Sequence, residues 1–507
     1  MKRFFLLFTI LINSLYTFSQ KSIHYSISVP SPKTNSYEVI MIIKGIESDA
    51  ITLKMPQWHP GYYQIMSYGK DVKNLNLVSG KRSTAQVEQA NFNTWNVTGI
   101  TSGQITVKYQ IQTHREFVAN SYVDKNRAYI IPENTFLYIP GKLNISPTVE
   151  IGLPEIWSSI ATGLQKTTGK TYQAEDYDIL YDSPILLGNL ESLPAFEVGG
   201  KKHQFIGYNI GEFDKELFNS RLQNVVQTAS DLIGDIPYEE YTFIGIGAGR
   251  GGIEHLNNTT VSFDGNQLKT EKDYNRVLNF LAHEYYHHYN VKRIRPFELG
   301  PFDYENGNRT HMLWVSEGLS VYYEYIITKR AGIADDEMFL SNLSHDITEL
   351  ENNPGKNYQS LAESSFYTWR DGPMGTSGSD PEKAISYYIK GPVVGLLLDL
   401  AIRNATENKK SLDDVMRLAY FRFYKEKNRG FTDAEFNSLC EEVAGTALTE
   451  IFEYVYTTKA LDYDKYLSYG GLKLEKSESG EKTIYHLTIV DNASDRQKEI
   501  LNGIVGE

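Results

Sequence analysis

The sequence predicts a multi-domain α+β protein in which an all-β domain comes first and a helical domain comes last. Its 507 residues exceed what a single hydrophobic core supports, so we expect two to four domains. Short alternating stretches of Ile, Val, Thr and Tyr fill the first third, whereas helical periodicity dominates the second half. Hydrophobic residues make up 41% of the chain and aromatic residues 13%, which is typical of a folded protein.

The first twenty residues have the pattern of an export signal. Lys2 and Arg3 give a basic start, residues 4–12 are almost wholly apolar, and small and polar residues follow. An apolar run this short cannot span a bilayer. We therefore expect residues 1–20 to be a signal peptide and the protein to be periplasmic or secreted, the alternative being a buried N-terminal strand.

The composition argues against several kinds of partner. The net charge of −13 disfavours nucleic acid and anionic membranes, since no run of Lys and Arg reverses it locally. After the signal there is no stretch of about 18 uninterrupted apolar residues, so we predict no stable membrane insertion. Cys440 is the only cysteine, which rules out an intrachain disulfide, and we expect it to be buried in a helix. The sequence carries no signal of oligomeric state.

The all-β domain is expected to span residues 21–197. Runs such as 37–43 and 105–111 alternate β-branched or aromatic residues with others, and turn residues separate the runs. Residues 58–63 form a turn rich in aromatic residues, which we expect to pack against a neighbouring element.

Strand signals and then helix signals continue through residues 198–335, which we expect to form a second domain. One helix there carries an apolar stripe with helical spacing, formed by Tyr274, Val277, Leu278, Leu281, Tyr285 and Tyr289. Helical segments fill residues 336–460, where Thr432 with Glu435 has the form of a capping box. Residues 461–507 are expected to be a short tail with strand character.

His283, Glu284 and His287 form a metal-binding pattern on the helix that carries the apolar stripe. Residues four apart lie about 40° apart around a helix axis, so both imidazoles can bind one ion while Glu284 faces a bound water as general base. Thirty positions after His287, Glu317 offers a carboxylate as the third ligand. Two histidines and one carboxylate leave a fourth position open, as in catalytic zinc sites. The pattern predicts one Zn²⁺ per chain.

Other interpretations of these residues stay open. Two histidines four apart also occur in ordinary helices, and Glu317 could be a first-turn glutamate favoured by the helix dipole. His288 and His311 are rival ligands, although His288 points about 100° away from its neighbour on the helix. Asn290 and Glu324 could orient the ligands or be solvated surface residues.

Residues 247–252 satisfy the GxGxxG pattern of dinucleotide loops but not its context. That fingerprint opens an apolar helix, whereas this segment runs into residues 253–260, which have the pattern of an edge strand. We expect Gly251 and Gly252 instead to let a substrate backbone lie close to this strand.

Longer strings around these motifs resemble the glycyl aminopeptidase family of gluzincin metallopeptidases. The matching strings are residues 283–296, LWVSEG at 313–318, GGIEH at 251–255, SYYIKG at 386–391 and PQWHPG at 56–61. The resemblance covers nearly the whole chain after the signal. It implies a thermolysin-like zinc catalytic domain at residues 198–335. Family members usually carry a C-terminal PDZ domain, and the residues after Leu461 are too few to hold a complete one.

The resemblance also implies an activity and further site residues. It implies a zinc aminopeptidase in which Glu254 binds the free α-ammonium of a peptide. Tyr388 is expected to stabilise the oxyanion, with Tyr387 as the alternative. The family suggests a preference for N-terminal Gly or Ala. The rival hypotheses are a non-catalytic peptide-binding protein and an endopeptidase of the same fold.

Overall fold

The computed structural model describes residues 21–78 and 84–506, so the expected signal peptide lies outside the described residues. Within them the protein has the predicted α+β architecture, with an all-β region first and a helical region last. The N-terminal region contains, in chain order, β1 (Ser22–Ser28), β2 (Ser36–Lys44), β3 (Ala50–Lys54), β4 (Val72–Leu77), β5 (Gln86–Asn91), β6 (Thr94–Thr98), β7 (Gln104–Gln112), β8 (Tyr122–Val123), β9 (Arg127–Ile130), β10 (Pro147–Gly152), β11 (Ser159–Thr162), β12 (Gln165–Lys166), β13 (Thr171–Gln173), the short helix α1 (Tyr177–Tyr181) and β14 (Ile185–Gly188).

Three sheets build this N-terminal region. The largest has the strand order β12-β13-β10-β1-β2-β7-β4, the second has the order β11-β14-β9-β8, and the third has the order β3-β6-β5. Side chains alternate along β1, where Ile23, Tyr25 and Ile27 are buried. Tyr25 lies opposite Met41 of β2, so the buried faces of the two strands are in register.

A further sheet follows and carries part of the candidate site. Its strands are β15 (Glu191–Ser192), β16 (Phe196–Val198), β17 (Lys201–Gly207), β18 (Glu240–Gly245), β19 (Gly252–Glu254) and β20 (Asn258–Val261). Their order is β15-β17-β18-β20-β19, with β16 paired to β17, so β19 is an edge strand. β15 and β16 already pair with β17, although we expected the second domain to begin at residue 198.

The remaining elements are mostly helical. They are α2 (Lys215–Ile233), α3 (Glu271–Tyr286), α4 (Leu319–Arg330), α5 (Asp336–Asn352), α6 (Leu361–Phe366), α7 (Thr368–Asp371), α8 (Tyr387–Ala405), α9 (Leu412–Ala419), α10 (Asp433–Ala444), α11 (Thr449–Tyr456), α12 (Tyr463–Tyr469), β21 (Leu472–Ser479), β22 (Lys482–Ile489) and α13 (Asp495–Val505). Two π-helices, Trp314–Gly318 and Tyr420–Glu426, adjoin α4 and α9.

The sheet β15–β20, the helices and the C-terminal elements share one hydrophobic core. This core joins Phe243 of β18 and Leu281 of α3 to Leu397 of α8, Leu487 of β22 and Ile504 of α13. Residues 461–506 are therefore a helix, a hairpin and a second helix packed on the body of the protein. The apolar stripe predicted on α3 faces this core.

A smaller cluster joins the N-terminal sheets to the sheet β15–β20. It packs Tyr129 of β9 and Leu186 of β14 against Ile244 of β18 and Ile253 of β19. The Tyr129 hydroxyl also contacts Thr260 Oγ1 of β20 at 2.9 Å. Since Ile253 lies between Gly252 and Glu254 on β19, the cluster holds the N-terminal region against the strand that bears candidate site residues.

Helix α8 is the core helix of the C-terminal half. The segment Pro381–Ala405, which includes it, is long and apolar enough to cross a membrane, but 89% of its most apolar window is buried inside the protein. Such burial is typical of a core helix in a folded domain.

Two motif glycines allow the start of α4 and the start of α8 to touch. A Cβ built on Gly391 would lie 2.5 Å from the Cα of Gly318, and one built on Gly318 would lie 2.8 Å from the carbonyl oxygen of Tyr387. No larger residue fits at either position without moving a backbone. This contact places the residue before Gly318 beside the first turn of α8.

We predict that Gly391→Ala lowers the free energy of unfolding by about 1–3 kcal/mol, because the added methyl group meets backbone. Denaturant unfolding of the purified protein measures this. Gly395→Ala, one turn later on α8, is the matched control: its nearest neighbour is Leu319 Cδ2 at 3.0 Å, a flexible side chain. Equal destabilisation by the two substitutions would contradict the proposed backbone contact.

Candidate active site

Two histidines and one glutamate converge beside the C-terminal end of α3. His283 Nε2 and His287 Nε2 lie 2.8 Å apart. Glu317 Oε2 lies 3.2 Å from His287 Nε2 and 3.7 Å from His283 Nε2. All three residues are buried. The structure thus brings together the three side chains for which the sequence predicted a metal site.

A hydrogen bond orients one imidazole, and a close contact with a carboxylate orients the other. His287 Nδ1 donates to the carbonyl oxygen of Asn290 at 2.8 Å. His283 Nδ1 lies 3.0 Å from Glu324 Oε2. With a proton on each Nδ1, the lone pairs of both Nε2 atoms point toward the position that the Glu317 carboxylate also faces. Asn290 and Glu324 therefore lie behind the histidines rather than at the solvated surface.

Glu317 reaches this point from the π-helix that precedes α4. The Asn290 side chain fastens that segment to the end of α3, because its Nδ2 donates to the carbonyl oxygen of Val315 at 2.7 Å and to Ser320 Oγ at 3.0 Å. Local π-helical turns are frequent at functional sites. Glu317 Oε1 is buried and has no hydrogen-bond partner among the described residues.

The three side chains fit a zinc ion. Bond lengths of about 2.0–2.1 Å in a tetrahedral site separate neighbouring ligand atoms by roughly 3.3 Å. The separations of 2.8, 3.2 and 3.7 Å between the three atoms lie on either side of that value. Two imidazole nitrogens and a carboxylate oxygen are also the donor atoms that zinc prefers.

Glu284 belongs to α3, and its carboxylate lies between this helix and the edge strand β19. Thr259 Oγ1 donates to Glu284 Oε2 at 3.3 Å. On the other side, a Cβ built on Gly252 would lie 2.7 Å from Glu284 Oε1, so the strand can cover this carboxylate only because Gly252 has no side chain. Burial raises the pKa of the Glu284 carboxyl to about 7.

Glu254 ends the edge strand and is also buried. Its Oε1 has no hydrogen-bond partner among the described residues and lies 4.0 Å from Lys292 Nζ. The carboxylate abuts Gly61, where an added Cβ would lie 2.8 Å from Glu254 Oε2. Gly251, with a φ of +89°, turns the chain into this strand and accepts a hydrogen bond from the backbone of Ser262 at 2.9 Å.

The two neighbouring tyrosines of α8 differ in direction. The Tyr388 hydroxyl donates to Glu317 Oε2 at 2.9 Å, whereas the Tyr387 hydroxyl lies 3.1 Å from Thr368 Oγ1. Tyr388 is therefore the tyrosine at the candidate metal centre. The sequence left this choice open because both residues belong to the same first turn of the helix.

The rival histidines lie elsewhere. The His288 ring packs among tyrosines, with ring centroids 4.6 Å from Tyr285 and 3.6 Å from Tyr289. The His311 ring stacks on Phe366 at 4.5 Å.

Sequence reasoning missed four residues that surround the site, namely Gly61, Asp182, Thr259 and Lys292. The string PQWHPG at residues 56–61 could have indicated Gly61, since Pro followed by Gly is typical of a tight turn. Asp182 gave no signal, because it follows an ordinary short helix.

Comparison with known protein families identified two matches. The Peptidase M61 N-terminal domain model matches residues 24–189, and the M61 glycyl aminopeptidase model matches residues 276–394. No match to a curated protein was found.

Solved structures share the fold. A crystal structure described as an aminopeptidase N family protein from Idiomarina loihiensis is 24% identical with a TM-score of 0.83, and the match covers 91% of this chain and 82% of that one. An M1 zinc metallopeptidase mutant from Deinococcus radiodurans, bound to a Tyr-Ser-Ala substrate, is 12% identical with a TM-score of 0.56, over 87% of this chain and 94% of that one. The two family models follow one another in the expected order, and the chain belongs to the M61 glycyl aminopeptidase family.

Proposed function

We propose that this metallopeptidase is an exported zinc aminopeptidase that removes N-terminal residues from peptides and prefers small ones such as Gly or Ala. The observation that carries the proposal is the place of Glu254. Its buried carboxylate has one oxygen without a hydrogen-bond partner in the part of the chain that the structure describes, and it lies on the same short strand as the glycine that covers Glu284. A free N-terminus supplies the positive charge that such a carboxylate binds, whereas the interior of a peptide does not.

His283, His287 and Glu317 would hold the zinc ion, which supplies Lewis acidity toward the scissile carbonyl group and toward water. Glu284 accepts a proton from the attacking water at its carboxylate and passes it to the nitrogen of the leaving amine. Its contacts with Thr259 and Gly252 fix the carboxylate at this position.

Tyr388 stabilises the oxyanion that develops on the substrate carbonyl. Its hydroxyl reaches the candidate metal centre and donates to Glu317 Oε2, so a small rotation turns it toward a substrate oxygen nearby. Tyr387 has the weaker claim, because its hydroxyl is engaged with Thr368.

Glu254 sets the position of the cleaved bond. By holding the α-ammonium at a fixed place on the edge strand, it aligns the first peptide bond with the metal centre and disfavours internal bonds. The preference for Gly or Ala is supported by the family description, and export is supported by the basic and apolar pattern of residues 1–20.

We predict that Glu284→Gln keeps zinc but lowers kcat by roughly two or more orders of magnitude, because the proton acceptor is lost while the ligands remain. Release of 4-nitroaniline from glycine 4-nitroanilide measures turnover, and elemental analysis measures zinc. The unaltered protein is the reference, and its activity should disappear with a chelator and return with zinc. Undiminished turnover in the variant would refute the assignment of Glu284.

Glu254→Ala should lower kcat/KM for glycine 4-nitroanilide on the order of a hundredfold or more, since a buried charge-assisted hydrogen bond to the α-ammonium is lost. The comparison uses one internally quenched peptide in two forms, with a free N-terminus and with an acetylated N-terminus. The unaltered protein should cleave the form with the free N-terminus and spare the acetylated form. Cleavage of both peptides, with equal loss in the variant, would indicate an endopeptidase.

Gly252→Ala should lower kcat at least tenfold with zinc retained, because the added methyl group displaces the Glu284 carboxylate from its position. The matched control, in the loop before β19, is Gly249→Ala, whose nearest neighbour is Ser262 Oγ at 2.8 Å, a side chain that can rotate away. Equal kcat values for these two variants would speak against the contact between strand and carboxylate.

A further inference from the structure

A row of three charged side chains, all largely shielded from solvent, crosses the boundary between the N-terminal region and the sheet β15–β20. Asp182, which follows α1, lies 2.9 Å from Lys292 Nζ, and Lys292 Nζ lies 4.0 Å from Glu254 Oε1. The Lys292 side chain is only 7% exposed. The ammonium is therefore bonded to one carboxylate and only near the other.

Several groups hold Asp182 in place. The backbone N–H of Leu256 donates to Asp182 Oδ2 at 2.5 Å, and His255 Nδ1 lies 3.1 Å from Asp182 Oδ1. Burial lowers the pKa of His255 to about 4, so the ring is neutral and donates without adding a charge. Burial alone would raise the pKa of Asp182, but Lys292 and His255 outweigh it and hold that pKa below its usual value. Asp182 is thus an ionised anchor for the ammonium.

The three side chains of the row together carry one negative charge that no positive charge of the row balances. Asp182 and Lys292 neutralise each other, and Glu254 keeps a carboxylate whose Oε1 has no hydrogen-bond partner among the described residues. At 4.0 Å the ammonium still favours the ionised form of Glu254 through its field, but it does not occupy the oxygen. An arriving cation therefore finds an acceptor oxygen that is free to bind.

We propose that Asp182 holds Lys292 away from Glu254, so that the carboxylate stays available to the α-ammonium of the substrate. Asp182 and Lys292 are positioning residues for recognition of the N-terminus, and Asp182 is contributed by the N-terminal region. This inference rests on the proposed function, because it assumes that Glu254 binds the substrate amine.

Loss of the anchor has a definite consequence. A buried ammonium needs a partner, and without the Asp182 charge the flexible lysine side chain closes the gap of 4.0 Å to Glu254. It then competes with the substrate for the same carboxylate. Binding of the substrate suffers, whereas the groups that carry out bond cleavage are untouched.

Asp182→Asn tests this, since the amide keeps the shape and can still accept from Leu256. We expect KM for glycine 4-nitroanilide to rise on the order of tenfold, with kcat within about twofold and zinc content unchanged. Asp178→Asn is the matched control. Asp178 is a carboxylate on α1 whose partner is the Tyr304 hydroxyl at 2.6 Å, so KM should stay the same.

A second variant separates competition from general damage. Adding Lys292→Met to Asp182→Asn removes the competitor, so KM should fall back below that of Asp182→Asn alone. If Asp182→Asn does not fold, Lys292→Arg serves instead, because its longer fork reaches both carboxylates and should also raise KM.

The outcomes are distinct. An unchanged KM in Asp182→Asn, or a double variant with KM as high as the single one, overturns the inference. Failure of the unaltered zinc-loaded protein to cleave any substrate with a free amine overturns the proposed function instead.

Discussion

The structure depends on the burial of several carboxylates around one point. Glu254, Glu284 and Glu317 are 4%, 4% and 1% exposed. Removing carboxylates from water and placing them near one another is unfavourable unless positive charge is close. Burial raises the pKa of Glu254 and Glu284, whereas the two imidazoles outweigh burial at Glu317 and lower its pKa. The site therefore favours the binding of cations, and a positively charged ligand that binds here also stabilises the folded state.

That arrangement requires segments far apart in the chain to meet precisely. The ligands come from the last turn and C-cap of α3 and from the π-helix before α4, while Glu254 comes from the edge strand and Asp182 from the N-terminal region. The shared core fixes α3, α4 and α8 against one another, and the cluster around Tyr129 and Ile253 fixes the N-terminal sheets against the edge strand. Rigid packing holds the backbones that carry the charged groups at fixed distances from one another.

Much of this could be read from the sequence because its signals are local. The periodicity around Leu281 and the spacing of His283 and His287 lie within one helix, whose geometry follows from sequence alone. The α+β architecture was predicted for the same reason. The partners of the buried carboxylates were not, since Asp182 approaches Glu254 only through the packing of separate sheets. Likewise, only the observed orientation of α8 shows that the Tyr388 hydroxyl, and not that of Tyr387, reaches Glu317.

Each buried carboxylate of the site is paired with a glycine, and this pairing gives the motif glycines a common explanation. Gly61 abuts Glu254, Gly252 covers Glu284, and Gly318 follows Glu317 at the contact with α8. In each case an added Cβ would come within 3 Å of the carboxylate or of the neighbouring backbone. A side chain at these positions would either displace the carboxylate or open a gap to water, and water would weaken the electrostatic attraction on which binding relies. The three glycines therefore belong to the site as much as the charged residues do, although none of them offers a functional group.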